Sequence, residues 1–480
     1  MRHSPGSVRE RGVSAVFDRR RFLAFSTGGL ATAAVADLAR RESSAAEQAH
    51  PPPRAQRAIH LCLVGGLSQI DSFDHKPELA RRQGEPLPDG VKPDSFFGVV
   101  GRLRGSDWTF RQRGASGLWV SDLFPHLARV ADELTVIRSL VADTTNHMPA
   151  MFQENSGFQA NGFPSLGSWL SYGLGNLSDS LPTFVVLPDA RSQPNGGASN
   201  WSSGFLPASH QGVLFQAGKE PIRDLFADPV APPQAERDGL ELLGDLNRLH
   251  LEGRGDDPLL AARIRSYELA ARMQVAVPEA IDLDTEPASL IRDYGLDDPT
   301  TADCGRRCLL ARRLLERGVR FVQLYSGGAF GGMPRHGWDG HEDNRENHAR
   351  EAALIDRPVA ALLADLRQRG MLDDTLVICT TEFGRTPFTQ SAGTLGLGRD
   401  HHSKGFSVWL AGAGLRHGVA HGTTDDLGLG VAEHPVTWPD FHATVLHLLG
   451  IDHERLTYYH NGIQRRLTNV HGTVVREILA

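Results

Sequence analysis

With 480 residues, 40% of them hydrophobic and 22% charged, the chain can build one large core with insertions or two to three domains, and nothing in it suggests collagen, a coiled coil or a disulfide scaffold. Lys and Arg number 50 against 57 Asp and Glu, a net charge of −7; the first fifty residues hold eight and five of these, leaving a body of 42 basic and 52 acidic residues. An acidic body argues against nucleic acid as partner, and four cysteines are too few for a disulfide framework.

The chain opens on Asp18-Arg19-Arg20-Arg21-Phe22-Leu23, followed by a weakly apolar, Gly/Thr/Ala-containing stretch and by Pro51-Pro52-Pro53. A basic region, a modest apolar region and small residues describe an export signal over residues 1–50, and the arginine pair before Phe-Leu resembles the twin-arginine type. This places the mature protein in the periplasm or outside the cell. Asp37 interrupts the apolar stretch, and no later segment reaches the ~18–20 apolar residues of a membrane span.

Ile59 to Val64 is a near-continuous apolar run, the pattern of a central parallel strand, and it ends in Gly65-Gly66 with Asp71 and Asp74 close behind as candidate metal carboxylates. Glycines there allow close approach of the backbone to a ligand. Residues 76–117, rich in Gly, Pro, Arg and aromatics, form an excursion over the site, plausibly a β-ribbon. Leu123 to Arg129 has helical spacing, and Leu134 to Val141 is the next strand. Its end, Asp143-Thr144-Thr145-Asn146-His147, offers hydroxyls that could serve as nucleophile or, equally, a Thr/Asn helix cap.

Ser165 to Leu174 reads as a helix and Pro182 to Leu187 as a strand, followed by a second excursion over about 190–235. Asp238 to Gln274 carries leucines at helical spacing, a helical pair with the leucine stripe in the core. From Cys304 on, helix, strand and polar loop alternate. CGRRCLLARRLLERG is an amphipathic helix with Arg on its outer face, closed by Gly318; Val319 to Tyr325 is a strand; and the next loop carries Asp339 and His341. A helix from Pro358 to Arg369 leads to the strand Thr375 to Cys379, which delivers Glu382 and Arg385. A Gly-rich loop then reaches Asp400, His401 and His402 before the strand Phe406 to Leu410, and Thr437 to Asp452 is a capped helix. Cys62 and Cys379 lie inside apolar runs and read as buried free thiols, while Cys304 and Cys308, four apart on one helix, do not make a metal site alone.

Such alternation predicts an α/β fold, a doubly wound, mostly parallel sheet with helices on both faces. In that topology Asp71, Asp339, His341, Glu382 and His401, each following a strand, share one edge of the sheet and supply the oxygen and nitrogen ligands that divalent metals take. Neither Gly65-Gly66 nor Gly327, Gly328, Gly331 and Gly332 match a phosphate-binding fingerprint, so nucleotide binding is set aside.

The motifs GGLSQIDSFDHKP, RFVQLYSGG with WDGH, TLVICTTEFGRTP, GRDHHSKGFSVWLAGAG and DFHATVLHLLGIDH, in this order, resemble the DUF1501 proteins across residues 55–480, a family typically exported with twin-arginine signals. That family is similar in turn to the alkaline phosphatase and sulfatase superfamily. The resemblance implies a single alkaline-phosphatase-like domain over 55–480 with a metal site at the sheet edge. It implies Asp71 as the first-strand carboxylate, Thr144 or Thr145 as nucleophile, and Asn146 with Arg385 on substrate oxygens. Asp339 and His341 would hold one metal, Glu382 the other, with His401 or His402 as the late histidine. The ion would be divalent: zinc, or calcium, manganese or magnesium. Glu382-Phe383 stands where the superfamily has Asp-His, which leaves a second ion's ligand set incomplete, and no Cys-x-Pro-x-Arg is present to make a formylglycine. The expected activity is hydrolysis of a phosphate ester or related anionic ester. The alternative is a secreted binding or scaffold protein with a degenerate site.

Overall fold

The run Arg57–Leu63, β1, is buried at every position after the first, as a strand covered on both faces must be. Successive side chains alternate between two cores. Ile59, Leu61 and Leu63 pack in one with helices α6 (Ala302–Glu316) and α7 (Asn344–Gln368), while Ala58, Cys62 and Val64 pack in the other with α2 (His147–Ser156), α3 (Leu166–Leu174) and α8 (Trp438–Leu448). Those are the two faces of a helix-covered sheet. The computed structural model describes residues 50–93, 95–216, 222, 233–254, 258–328 and 336–480. The expected export segment, except for His50, and Gly331 with Gly332 lie outside the described residues.

The main sheet has nine strands. Its path runs β12 (Val419–His421), β4 (Leu134–Val141), β11 (Phe406–Gly412), β8 (Thr375–Thr380), β1, β7 (Phe321–Ser326), β5 (Phe184–Leu187) and β6 (Val213–Leu214), and the short strand Val436–Thr437 also pairs β4. Every pairing is parallel except the two made by β11, which runs antiparallel to β4 and to β8. The expected mostly parallel α/β sheet is thus present, with β1 at its centre between β7 and β8, so the carboxyl ends of these three strands open side by side on one edge.

Several local expectations change. Among the described residues the excursion at 76–117 is not a ribbon along its length; its end, β2 (Phe110–Arg113), pairs with β3 (Leu118–Ser121), and Leu103 bridges Phe388. The helical pattern at 123–129 becomes a 3-10 segment, Leu127–Glu133. Helix α7 begins at Asn344, where the Asp343 side chain caps the Glu346 N–H at 3.0 Å, so Pro358 sits in its interior rather than at its start. The loop between Glu382 and His401 contains an extra antiparallel hairpin, β9 (Gly384–Thr389) with β10 (Arg399–His402).

Three of the four arginines of α6 do not face solvent; Arg306 is half-buried. Arg307, Arg312 and Arg313 are buried, because the segment around Glu286 and helix α7 cover that face. Arg312 pairs with Glu286 at 2.8 Å, Glu316 at 2.7 Å and Asp365 at 3.1 Å, which offsets the cost of burying its charge. The leucine stripe of α4 (Pro233–Arg254) is likewise not core. Leu242 and Leu249 are 60% and 65% exposed, and it is α5 (Pro258–Ile281) that buries Met273, Val277 and Ala280.

Candidate metal centre

Three imidazoles converge on one carboxylate oxygen. Asp339 Oδ1 lies 2.8 Å from His341 Nε2, 3.3 Å from His401 Nε2 and 3.5 Å from His147 Nε2. The His341 and His401 Nε2 atoms are themselves 2.8 Å apart. Ligand atoms of His147, Asp339, His341 and His401 all lie within 4.8 Å of one another.

Local sequence explains each position. His147 is the first residue of α2, whose cap is Asn146: its side chain accepts the Met148 N–H at 3.3 Å. Asp339 is fixed by the end of β1, where the carbonyl of Val64, the residue after the strand, accepts the Trp338 N–H at 2.8 Å. Gly65 has φ +117°, and a Cβ there would fall 2.7 Å from the backbone nitrogens of Trp338 and Asp339, so the glycine is what lets the two loops touch. The approach expected at this glycine is therefore to the neighbouring loop. His401 projects from β10, opposite Arg385 on β9.

In each imidazole Nδ1 faces an acceptor: Glu382 Oε1 at 2.7 Å for His147, Gln390 Oε1 at 2.5 Å for His341 and the Thr145 carbonyl at 2.6 Å for His401. These acceptors place the proton on Nδ1 and leave the Nε2 lone pairs pointing inward. Two Nε2 atoms 2.8 Å apart are held together by a shared proton or by a cation between them. Fixing an imidazole through its outer nitrogen is also how proteins orient metal-bound histidines. With Zn–N bonds of about 2.0 Å, the edge of a tetrahedron is about 3.3 Å, close to the 2.8–3.5 Å spacings here. The donor set therefore fits a divalent ion.

Electrostatics agree for two of the four groups, Asp339 and His401. Burial alone would raise the Asp339 carboxyl, but Arg385 and the three imidazoles hold it well below the usual carboxylate range. Burial, with Arg385 and His147 beside it, drops His401 well below an ordinary imidazole despite its bond to Asp339. Both are then in the metal-binding protonation state at neutral pH. Burial opposes a charge on His147, but its bonds to Asp339 and Glu382 outweigh it and raise that pKa.

The remaining expected residues are placed differently. Glu382 stands behind the cluster, holding His147 and accepting the Gly65 N–H at 2.9 and 3.1 Å. Asp71 is held apart: Arg399 Nε at 3.0 Å, Ser68 Oγ at 2.6 Å and Asn344 Nδ2 at 2.9 Å all donate to its Oδ2. Asp74 pairs with Lys76 at 3.0 Å. Arg385 spends its guanidinium on the Gly65, Gly66 and Arg399 carbonyls and on Asp339 Oδ1 at 2.6 Å, so it fixes the Asp339 carboxylate rather than facing a substrate. Thr144 and Thr145 are half-buried beside the cluster; Thr144 Oγ1 accepts the Asn146 N–H at 3.2 Å, and Thr145 is tied in through its carbonyl. His402 is buried on β10 and is not among the four.

Sequence reasoning passed over His147 as a candidate ligand, although it closes the strand-end stretch 143–147 and is an imidazole just after a strand. It took Phe383 only as a departure from Asp-His and not as a packing residue. This ring stands 4.6 Å from His401 and 4.8 Å from His147, centroid to centroid, and packs the two imidazoles in place. A second group, His60, Cys62 and Glu154, is wholly buried beneath the edge. His60 Nε2 meets Thr380 Oγ1 at 2.7 Å. Burial and the nearby Glu382 push Glu154 well up, and burial, with His442 adding, pushes His60 down to about 3, so both are neutral parts of the core. All four cysteines are buried and free. No helix among the described residues is long and apolar enough to cross a membrane.

A family model described as "Protein of unknown function (DUF1501)" matches residues 55–479. No curated protein matches the chain. Among solved structures it is similar to the lipoteichoic acid synthase of Listeria monocytogenes (11% identity, TM-score 0.37, covering 87% of this chain and 76% of that one). It is similar also to a phosphonate monoester hydrolase of Silicibacter pomeroyi (14%, 0.36, 88% and 76%) and to the alkaline phosphatase of the Antarctic bacterium TAB5 (10%, 0.34, 78% and 96%). The chain belongs to the DUF1501 family.

Proposed function

We propose that this DUF1501 protein is an exported, metal-dependent hydrolase of phosphate esters or related anionic esters, with His147, Asp339, His341 and His401 as the ligands of one divalent ion. The observation that carries the reading is the convergence of three inward imidazole lone pairs on Asp339 Oδ1, each ring held from outside by its own acceptor. Three nitrogens and one oxygen suit zinc better than calcium or magnesium, which take oxygen ligands. When bound, such an ion polarises the ester and offsets charge on its oxygens.

The chain's own residues do the rest. Arg385 keeps Asp339 ionised and aimed, and Glu382 keeps the His147 Nε2 turned inward. The His401 bond to the Thr145 carbonyl fixes the Thr144-Thr145 segment at the centre. A threonine hydroxyl attacking phosphorus in line would form a P–O bond as the bond to the leaving alcohol breaks, its proton passing to that alcohol; water then frees the phosphate. Elemental analysis of the purified protein beside a panel of phosphate mono- and diesters tests the reading, with Thr144→Ala and Thr145→Ala made singly. Bound metal with turnover that one of these substitutions abolishes supports it; full activity in both sinks the threonine nucleophile. Phe383, standing where a second ion's histidine would be, favours one second reading, a binding protein that keeps a single ion without turnover. Absence of turnover in a metal-loaded protein would decide for it.

A further inference from the structure

Above the four ligands lies a pair of rings that the proposed hydrolysis does not use. Phe96 and Phe97 are 44% and 53% exposed, among the larger apolar side chains left in solvent. Yet they do not point outward into bulk water. The Phe96 ring sits 5.2 Å from that of His401, and the Phe97 ring meets that of His341 edge-on at 5.1 Å and 87°. The two rings stand perpendicular to each other, 86° apart with centroids at 4.9 Å, and so form an open corner directly over the metal ligands.

The corner is anchored. Asp400, buried between Arg399 and His401 on β10, accepts the Ser95 hydroxyl at 2.7 Å and the Phe97 N–H at 3.2 Å through Oδ2, and the His401 N–H at 2.8 Å through Oδ1. One carboxylate thus ties the phenylalanine loop to the residue that carries a ligand. His401 lies between two phenyl rings, the buried Phe383 at 4.6 Å and the half-open Phe96 at 5.2 Å.

Resting on the proposed anion site, we infer that Phe96 and Phe97 form the subsite for the organic group of the substrate, and that this group is an aromatic ring attached directly at the ester oxygen, as in an aryl ester. A right-angled pair of rings offers a face to one side of a flat ring and an edge to the other, the two arrangements aromatic pairs prefer. Both phenylalanines stand about 5 Å from ligand imidazoles, so a ring must begin next to the anionic head to reach them; a long aliphatic spacer would carry it past.

The test is calorimetric binding of two non-hydrolysable anions, phenylphosphonate and methylphosphonate, to the zinc-loaded protein and to its Phe96→Leu/Phe97→Leu variant. Leucine keeps an apolar side chain and removes the ring, and the exposure of both positions spares the core; far-UV circular dichroism checks the fold. The wild-type protein is expected to prefer phenylphosphonate roughly tenfold, the size of one good aromatic contact. The variant should bring that preference within about twofold and leave methylphosphonate binding unchanged. Equal binding of both anions by the wild type, or a preference that survives in the variant, overturns the aromatic subsite while the metal-anion site stands. Failure of both anions to bind overturns the anion site itself, and the subsite with it.

Discussion

Glu382 is the residue at which a reading by position and a reading by geometry diverge, and Glu382→Gln separates them. Its Oε1 accepts from His147 Nδ1 at 2.7 Å and from the Gly65 N–H at 2.9 Å, while its charge makes both bonds charge-assisted. Glutamine keeps the shape and an acceptor oxygen. Bonds to a charged group are worth about 1.5–3 kcal/mol against about 0.5–1.5 for neutral pairs, so the loss is about 1–1.5 kcal/mol, or roughly tenfold in zinc affinity. That is the lower end of the ~10–100-fold range found on removing a partner that orients a metal-bound histidine. Asp339→Asn, which alters a group at the centre itself, should cost more. Competition with a chromophoric chelator measures both variants. Zinc-dependent stabilisation gives a second reading: zinc at ~1,000 times its Kd adds about 4.1 kcal/mol to unfolding, which a tenfold weaker site reduces to about 2.7. If Glu382→Gln is as severe as Asp339→Asn, the Glu382 carboxylate touches the ion and the assigned ligand set is wrong. If it has no effect, the His147–Glu382 bond does not tune the site.

Asp71→Ala leaves Arg399 as an uncompensated charge in a fully buried pair, so unfolding in urea should show a loss of about 3–5 kcal/mol while chelator competition shows unchanged zinc affinity; a parallel loss of affinity would put Asp71 at the ion. His348 accepts the Ser68 N–H through Nε2 at 2.9 Å, a bond only the neutral ring can make, and burial pushes its pKa down to about 3. Its folded pKa lies below the unfolded value of ~6.5, so its contribution is whole above pH 6.5 and fades as pH falls toward 3; by pH 5 about 2 kcal/mol has gone. His348→Gln, whose amide oxygen can accept the same N–H, should reduce the stability difference between pH 7 and pH 5 by about that amount, and an unaltered difference would refute the assignment. Gly65→Ala combines a disfavoured positive φ with a Cβ 2.7 Å from two backbone nitrogens, for a cost of roughly 1–3 kcal/mol or more. Because the displaced backbone is that of Asp339, zinc affinity should drop as well; normal affinity in a folded variant would show that the β1 contact does not position the carboxylate.

The sheet was legible because its strands are largely buried on both faces: runs such as Ile59–Val64 and Leu134–Val141 are mostly apolar, interrupted only by His60 in the first and by Thr135, Arg138 and Ser139 in the second. What hid were features decided by partners distant in sequence. The α6 arginines read as solvent-facing because nothing local shows that Glu286 and Asp365 meet them. The α7 start was missed because Pro358 is a strong breaker locally, whereas packing on both sides keeps the helix continuous. At the centre, the meeting of Asp339, His341 and His401 was readable from their positions after predicted strands, though the hairpin that carries His401 was not. Glu382 was not readable as a supporting group, since a carboxylate after a strand looks the same whether it meets an ion or an imidazole. His147 was hidden by its neighbours, because Thr144, Thr145 and Asn146 make a credible cap and Asn146 is one.

The hairpin of β9 and β10 lies outside the main sheet yet brings Arg385, Gln390 at its margin, and His401 to the centre. The contacts that close the centre span 60 residues from His341 to His401, 62 from Asp339 to His401 and 235 from His147 to Glu382. Contacts of that separation carry a loop-closure cost repaid only when the intervening chain has already condensed, so they form late. A partly folded or nascent chain holds these nitrogens far apart and cannot capture the ion with them. On the proposed ligand set, metal uptake therefore follows completion of the sheet.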